Sequence, residues 1–570
     1  VSILAWIATV VAIAAIGCAG MRWLRVAQRE HYLPGRVSLF AWRWWSLTPL
    51  NRPAALVALA CLLASAWIPI AGVVTAAVVI SGPVGLGLRG RTARLAWTRR
   101  LKTLAAVCAV TAAALVIVGV VVHQGALFAG IVAAGVPLLV DGGLAVTRPL
   151  ESILARRYVE SASAILRKVN PRVVAITGSY GKTSTKGYVK HLADDAFEVV
   201  ASPASYNNRA GLSRTINDLV KPGVEVLVAE MGTYGPGEIA EMCRFVPPEI
   251  AVMTAIGPVH LERFGSLERT LAAKSEITEA ARVVVLATDD TLLAAYADRL
   301  ASETRTVVRC SGTVVLPSGV SVLVVDEPLR MQLHVDGSLV GEAPVGADAL
   351  PASASNVACA AGAVIALGVP PEALVSRLAS LPVPVNRLQI HESARGVRII
   401  DDTYNANPAG ARVALDRLAS IAPSSGPASA SASAAASASS VPAAPGSSTV
   451  PPVAPAAGSS STPGAVPPGT AGRSSSLRVV VTPGMIELGQ LQESANEEFG
   501  ARCAAVATDV VVVGRTNRRA LLAGLNGTVV GHRMSVVQVA NRDEAVEWVR
   551  ENLDAGDVVL YENDLPDHFP

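Results

Sequence analysis

The stretch VVAITGSYGKTST, Val173–Thr185, decides how this chain is read. Four apolar residues, Val173 to Ile176, run into Gly178, Gly181, Lys182 and Thr183. The order predicts a buried parallel strand, a glycine turn and a helix start. Glycines let backbone N–H groups approach phosphate oxygens, and a helix N-terminus adds partial positive charge. Lys182 adds a full charge, and a hydroxyl beside it can ligate the magnesium of a nucleotide. The stretch therefore predicts an ATP or GTP site. Its spacing departs from the common P-loop, which has four residues between its glycines. Here Ser179 and Tyr180 are the only two, and Ile176 stands at the first glycine position. A plain strand–turn–helix joint is the bland alternative. Lysine scarcity argues against it: the chain has seven lysines among 48 Lys and Arg, so a lysine here meets a need for a compact ammonium.

A length of 570 residues accommodates several domains. A net charge of +3 gives no reason to invoke a nucleic-acid partner. Seven cysteines lack CxxC or Cys/His spacing, so neither a zinc site nor a disulfide framework is indicated. The arginine and alanine bias points to a GC-rich bacterial genome. The apolar excess is concentrated at the N-terminus. Residues 1–20, 54–88 (as two short joined spans), 103–122 and 126–147 predict about five transmembrane helices. Arg22, Arg25, Arg29, Arg36, Arg43 and Arg52 are expected to fill the first loop. Arg89, Arg91, Arg94, Arg99, Arg100 and Lys102 are expected to fill the third. The positive-inside rule then puts residue 1 outside and everything after Arg148 in the cytoplasm, a multi-pass cell-membrane protein. Seven of the eight tryptophans lie in the first hundred residues, as an interfacial belt requires.

From Glu151 onward, apolar strands alternate with helical segments. Strands are expected at 173–177, 225–229, 250–254 and 283–287, a parallel, doubly covered sheet. Residues 305–345 read as a hairpin excursion. A second α/β set follows, with strands at 397–401, 478–482, 510–514 and 557–561. Residues 422–476, rich in Ser, Ala, Pro and Gly, read as a flexible insert within it. The expected organisation is an α-helical membrane region over 1–150, a central α/β domain over 151–382 and a smaller Rossmann-like domain over 383–570.

Further signals line up with the first. They are SYNNRAGLSRT (Ser205–Thr215), VAEMGTYGPGEI ending at Ile239, TAIGPVHLERFGS (Thr254–Ser266), AAKSEI (Ala272–Ile277), NRLQ (Asn386–Gln389) and IIDDTYNANPAG (Ile399–Gly410). In this order they resemble the Mur ligase family, most closely its D-alanyl-D-alanine-adding branch. The resemblance covers residues 165–420 strongly and 477–561 more weakly. It implies ATP-dependent amide-bond formation in cell-wall precursor synthesis: a carboxylate takes the γ-phosphoryl group of ATP, and an amine displaces phosphate from the acyl phosphate. It implies ATP and Mg2+ as cofactors, with an amino acid or dipeptide amine and a carboxylate acceptor as partners. Lys182, Lys274 and His260 take catalytic positions. Gly178, Ser179, Gly181, Lys182, Thr183, Ser184, Arg387 and Asp402 match nucleotide contacts. Thr183, Glu230, His260 and Lys274 match positions that hold magnesium, Lys274 as a carbamylated lysine. Asn207, Asn208, Tyr404, Asn405 and Asn407 match positions on the substrate side.

The departures concern recognition. Ala287 stands where the family has an adenine-contacting Asn. The His of an interdomain GxHN motif corresponds to Ala352 or a neighbour, with Asn356 kept. ENDLPDHF (Glu562–Phe569) replaces a KGSR-like segment. Only about twenty residues separate the last expected span from the first strand, which leaves no room for the family's UDP-gripping domain; a membrane-associated acceptor is therefore expected. The alternatives are a relative that extends a lipid-linked or polyglutamate-like carboxylate, and a non-catalytic nucleotide-binding membrane scaffold.

Overall fold

A computed structural model describes residues 3–88, 95–203, 206–302, 305–325, 329–345, 353–382, 388–403, 407–421, 476–527 and 534–564. They fall into two units, one within residues 1–149 and one made of 150–421 with 478–564. Arg387, Tyr404, Asn405 and Ala352 lie outside the described residues, as does nearly all of the 422–476 insert.

The first unit is helical: α1 (Ile3–Arg29), α2 (Arg36–Leu47), α3 (Asn51–Ala64), α4 (Ala71–Ser81), α5 (Arg99–Val121), α6 (Gly125–Ala134) and α7 (Val136–Val169), the last running on into the second unit. Along part of α1 and α5 small residues face inward and large ones outward, while Trp23, Leu24, Leu101 and Leu104 are buried as well. On α1, Ala8, Ala12, Ala15 and Ala19 are buried while Ile7, Val10 and Ile13 are exposed. On α5, Ala112 is buried while Val110, Ile117 and Val121 are exposed. That polarity suits helices packed in lipid, where small residues let backbones approach.

Among the described residues, α1 and α5 are long and apolar enough to cross a membrane; each bent helix pair counted as one span would raise the total to four. By length and composition, two to four spans thus stand beside the expectation of about five. Helices α3 and α4 have 14 and 11 residues. At about 1.5 Å per residue they reach roughly 21 and 17 Å, short of a hydrocarbon core of about 30 Å. The break around Pro69 divides the apolar run in its middle, and Thr75 Oγ1 donates to Ala58 O (3.0 Å) to hold the two helices together. Helices α6 and α7 meet at 70°. Arg22, Arg25 and Arg29 are not in a loop, as expected, but inside α1. The buried Arg22 guanidinium donates to Leu86 O, Val79 O and Ile80 O, so it caps the C-terminal end of α4. Asp141 on α7 accepts from Ser38 N (2.8 Å) and Ser38 Oγ (2.5 Å), acting as a borrowed N-terminal cap for α2.

The second unit holds two sheets. The first contains β1 (Arg172–Thr177), β2 (Val199–Ala201), β3 (Val226–Glu230), β4 (Ile250–Met253), β5 (Val283–Ala287), β6 (Thr306–Ser311), β7 (Val320–Val325), β8 (Arg330–Val335) and β9 (Ser338–Pro344). Their order is β2-β3-β1-β4-β5-β6-β7-β8-β9. Pairing is parallel from β2 through β7 and antiparallel for β7–β8–β9. The 305–345 segment therefore extends the main sheet rather than leaving it. Interleaved helices are α8 (Lys182–Ala193), α9 (Arg209–Leu219), α10 (Glu238–Phe245), α11 (Leu261–Phe264), α12 (Leu267–Ser275), α13 (Thr291–Ala301), α14 (Ala354–Ala366) and α15 (Pro371–Leu378). Strands β3, β4 and β5 are buried at every position, which is why they read as continuous apolar runs. The chain goes from β1 outward to β2 and back through β3, then crosses to β4. The topological switch point, where open α/β sheets bind ligands, thus falls at the C-terminal end of β1.

The second sheet contains β10 (Gln389–Glu392), β11 (Arg398–Asp402), β12 (Arg478–Thr482), β13 (Asp509–Val513), β14 (Ser535–Val539) and β15 (Val558–Glu562), in the order β10-β11-β15-β12-β13-β14. Only β10 is antiparallel. Helices α16 (Pro408–Ser420), α17 (Gln492–Val506), α18 (Arg518–Gly527) and α19 (Arg542–Asn552) connect its strands.

Candidate functional site

The turn after β1 admits only glycine at two places. Gly178 has φ +153°, and a Cβ there would lie 2.1 Å from Thr254 Oγ1. Gly181 has φ +77°, and a Cβ there would lie 2.3 Å from Asn356 Oδ1. Both distances are far inside van der Waals contact, so the backbone is kept bare on the side facing the sheet edge. The loop after β4 fixes the turn. Ser179 N donates to Ala255 O (2.8 Å) and Ser179 Oγ to Gly257 O (3.1 Å). Thr254 Oγ1 donates to Tyr180 O. Ser179, expected as a nucleotide contact, thus uses its hydroxyl to tie two loops together. Tyr180 packs onto Gly257, and burial, reinforced by Asp290, pushes its phenol above the ordinary range.

Two lysines converge on one carbonyl. Lys182, the first residue of α8, donates to Gly178 O at 2.7 Å. Lys274, in the last turn of α12, donates to the same oxygen at 3.1 Å. Lys274 is 3% exposed. Burial first, and then the Lys182 charge, hold its ammonium well below the usual lysine range. Lys182 and the donors of a helix N-terminus form a site that favours an anion, with the Lys274 amine beside it.

Glu230 is the last residue of β3, not just beyond it, and the register sets it opposite Ile176. Its carboxylate is 1% exposed. It accepts from Lys186 Nζ (2.9 Å), Thr183 Oγ1 (3.0 Å) and Asn207 Nδ2 (3.2 Å). A buried carboxylate stays charged only with such partners. Three of the chain's seven lysines therefore meet around this turn. Among the described residues, no three His, Cys, Asp or Glu side chains gather as a metal cage. Magnesium does not need one: it takes one or two protein oxygens plus substrate phosphates. The touching Thr183 hydroxyl and Glu230 carboxylate are oxygen donors of that kind.

His260 was expected to join Glu230 and Lys274. No hydrogen bond or ion pair among the described residues links it to either. Instead its Nδ1 meets the carboxylate of Glu487, from the loop after β12. The reason is local: His260 adopts φ +59° at the start of α11, and Tyr234 packs edge-on to its ring at 5.2 Å between centroids. Asn208 and Asn407, expected near substrate, cap α9 and α16 by accepting from Gly211 N and Gly410 N, each at 2.9 Å. Ser184 is buried on α8, and Asp402 is buried at the end of β11. Ala287 closes β5; two residues on, burial would raise Asp289, but Ser311, Ser355, Thr313 and Gly312 N donate to it and hold its carboxyl below the usual range.

The sequence reading missed Lys186, the contact of Asn356 with Gly181, and Glu487. Lys186 was findable: it lies one helical turn beyond Lys182 in a lysine-poor chain. The other two depend on contacts between remote segments.

Residues 176–313 match the family described as Mur ligase middle domain. The UDP-N-acetylmuramoyl-tripeptide--D-alanyl-D-alanine ligase of Mycobacterium leprae is 35% identical over 263 residues, 44% of this chain and 50% of that protein. Its Mycobacterium tuberculosis counterpart is 32% identical over 307 residues, 50% of this chain and 59% of that protein. The matched part thus spans only half or somewhat more of these relatives' length. Among solved structures, MurF from Thermotoga maritima in complex with ADP is similar with a TM-score of 0.53 at 22% identity, covering 72% of this chain and 80% of that one. MurF from Acinetobacter baumannii gives 0.52 at 20% identity, covering 71% and 77%. Residues 176–313 are thus similar to a Mur ligase middle domain, and the fold is like that of these MurF structures.

Proposed function

We propose that this protein is a MurF-like, ATP-dependent amide ligase of cell-wall precursor assembly. The observation that carries the reading is the convergence of Lys182 and Lys274 on Gly178 O, beside the Thr183–Glu230 pair, at the switch point of the sheet. The relatives' printed name supplies the candidate substrates, a UDP-muramoyl tripeptide and D-alanyl-D-alanine.

In this reading the turn Gly178–Gly181 and the first N–H groups of α8 receive the triphosphate. The acceptor's carboxylate oxygen bonds to the γ-phosphorus, and the bond to the ADP oxygen breaks. The amine nitrogen then bonds to the acyl carbon and phosphate leaves, the amine losing a proton. Lys182 offsets the charge that builds on the transferred phosphoryl oxygens, a contribution that is large in a dry site. Thr183 and Glu230 would hold magnesium, which neutralises phosphate charge when bound. Asn207 keeps Glu230 aimed. Lys186 pairs with it at 2.9 Å.

Lys274 is proposed as the carbamate-forming lysine. Its buried site favours the neutral amine, the form that bonds to the carbon of CO2 with release of one proton. The apolar helices of the first unit are proposed to insert in the cell membrane and to keep the catalytic sheets beside a membrane-associated acceptor. Mass spectrometry of ATP-dependent products, using full-length protein in detergent with candidate amines and lipid-linked or nucleotide-linked acceptors, tests the function. A new amide formed with stoichiometric ADP is the expected result. ATP binding with no coupled product in any combination refutes ligation and leaves the scaffold alternative.

A further inference from the structure

His260 and Glu487 come from different sheets and are 227 positions apart. Both hold positive φ without being glycine, +59° and +63°. Such backbone is strained and persists only where surrounding contacts dictate it. The two segments are joined at three levels. Glu262 N donates to Glu487 O at 3.4 Å. The Glu487 carboxylate meets His260 Nδ1 and, at 3.2 Å, Arg263 Nη2. Arg263 lies 4.5 Å over the Tyr234 ring, which itself packs on the His260 ring. Gly489, at φ +58°, would place a Cβ 3.2 Å from Glu262 N, so the loop after β12 is shaped to lie against α11.

We propose that Glu487 is a positioning residue that reaches across from the second sheet to orient the His260 imidazole. A carboxylate on Nδ1 selects the tautomer whose Nε2 carries the lone pair, and metal-binding histidines are ordinarily held in this way. Arg263 Nη2, at 3.2 Å, balances the Glu487 charge. The consequence is coupling: His260 is correctly aimed only while the loop after β12 rests on α11. Metal loading in the first sheet then reports the docking of the second. This rests on the ligase reading and on the family resemblance, by which His260 is a proposed magnesium ligand.

The test uses full-length protein in detergent with Mn2+ as the probe and ADP present, read by electron paramagnetic resonance. Glu487→Ala is expected to weaken Mn2+ binding by about 10- to 100-fold, the range seen on loss of such outer partners. Glu487→Gln, whose amide oxygen still accepts from Nδ1–H, is expected to recover most of it. In a His260→Ala background Glu487→Ala is expected to add nothing, because it acts through the ring. Should Glu487→Ala not fold, the same cycle is read with Glu487→Met, which also lacks the acceptor. Wild-type affinity in the variant without the acceptor, or full additivity with His260→Ala, overturns the proposal while leaving the ligase reading intact. A wild-type protein that binds no Mn2+ with ADP removes both.

Discussion

At the scale of single residues the site is a set of forced choices. Gly181→Ala places a methyl against Asn356 at a left-handed backbone position. It is expected to destabilise the protein by about 1–3 kcal/mol and to abolish detectable ATP binding. Thermal unfolding and nucleotide titration check this; wild-type affinity would show that the turn does not hold phosphates. Lys186→Met strands the Glu230 charge in a buried place. A loss of about 3–5 kcal/mol is expected, with partial recovery on adding Glu230→Gln, because removing one partner of a buried pair leaves the other unbalanced. Lys274 gives a pH signature. Its folded-state value lies below the 10.5 of an ordinary lysine, so the unfolded chain binds more protons between the two. Stability contributed at this position therefore rises with pH across that window and is lowest beneath it. The melting temperature of wild type relative to Lys274→Met should climb from neutral pH toward 10.5, and parallel curves would contradict the assignment. Gly178, Gly181 and Lys182 were legible in the sequence because their types, in order after an apolar strand, suggest a phosphate cradle, whereas Lys186 was missed and Lys274 was found through the resemblance. Glu487 was not, since nothing local in TPGMIELG says which distant side chain it will meet.

At the scale of elements, buried parallel strands announce themselves and short ones do not. The runs at β1, β3, β4 and β5 are apolar on both faces, so composition alone located them to within a residue. Strand β2, three residues long, and the half-exposed β10 and β14 carry no such run and were missed. In the first unit, apolar content predicted spans, but helix length is set by where the chain breaks. The turn at Ser65–Ile70 converts one long run into two helices that fall short of a bilayer. The serine–alanine–proline insert follows α16 and precedes β12, so it joins the elements at the N-terminal edge of the second sheet. Ligands bind at the opposite edge of such a sheet. Deleting 424–475 is therefore expected to leave nucleotide turnover within about a factor of two in a protein that remains folded, since shortening the connection this much changes closure by only about 2 kcal/mol, in the stabilising direction. Loss of turnover with intact melting behaviour would assign the insert a part in catalysis.

At the scale of the molecule, the open matter is why a ligase-like pair of sheets shares a chain with apolar helices. The two units share one chain, so a first unit inserted in a bilayer would tether the sheets to that surface. A tether confers a large effective concentration on an acceptor confined to the same surface and none on a soluble one. The prediction concerns the dependence on presentation. With full-length protein in vesicles, an acceptor carried by a lipid in the same vesicle should turn over far faster than the same acceptor free in solution at equal total amount. With residues 151–570 alone, provided that they fold, the preference should vanish. Equal rates for both presentations by the full chain would mean that the helices do not select the acceptor. Efficient turnover of a nucleotide-linked acceptor by residues 151–570 would place recognition wholly within the two sheets, and the helices would then have to act on something other than substrate choice.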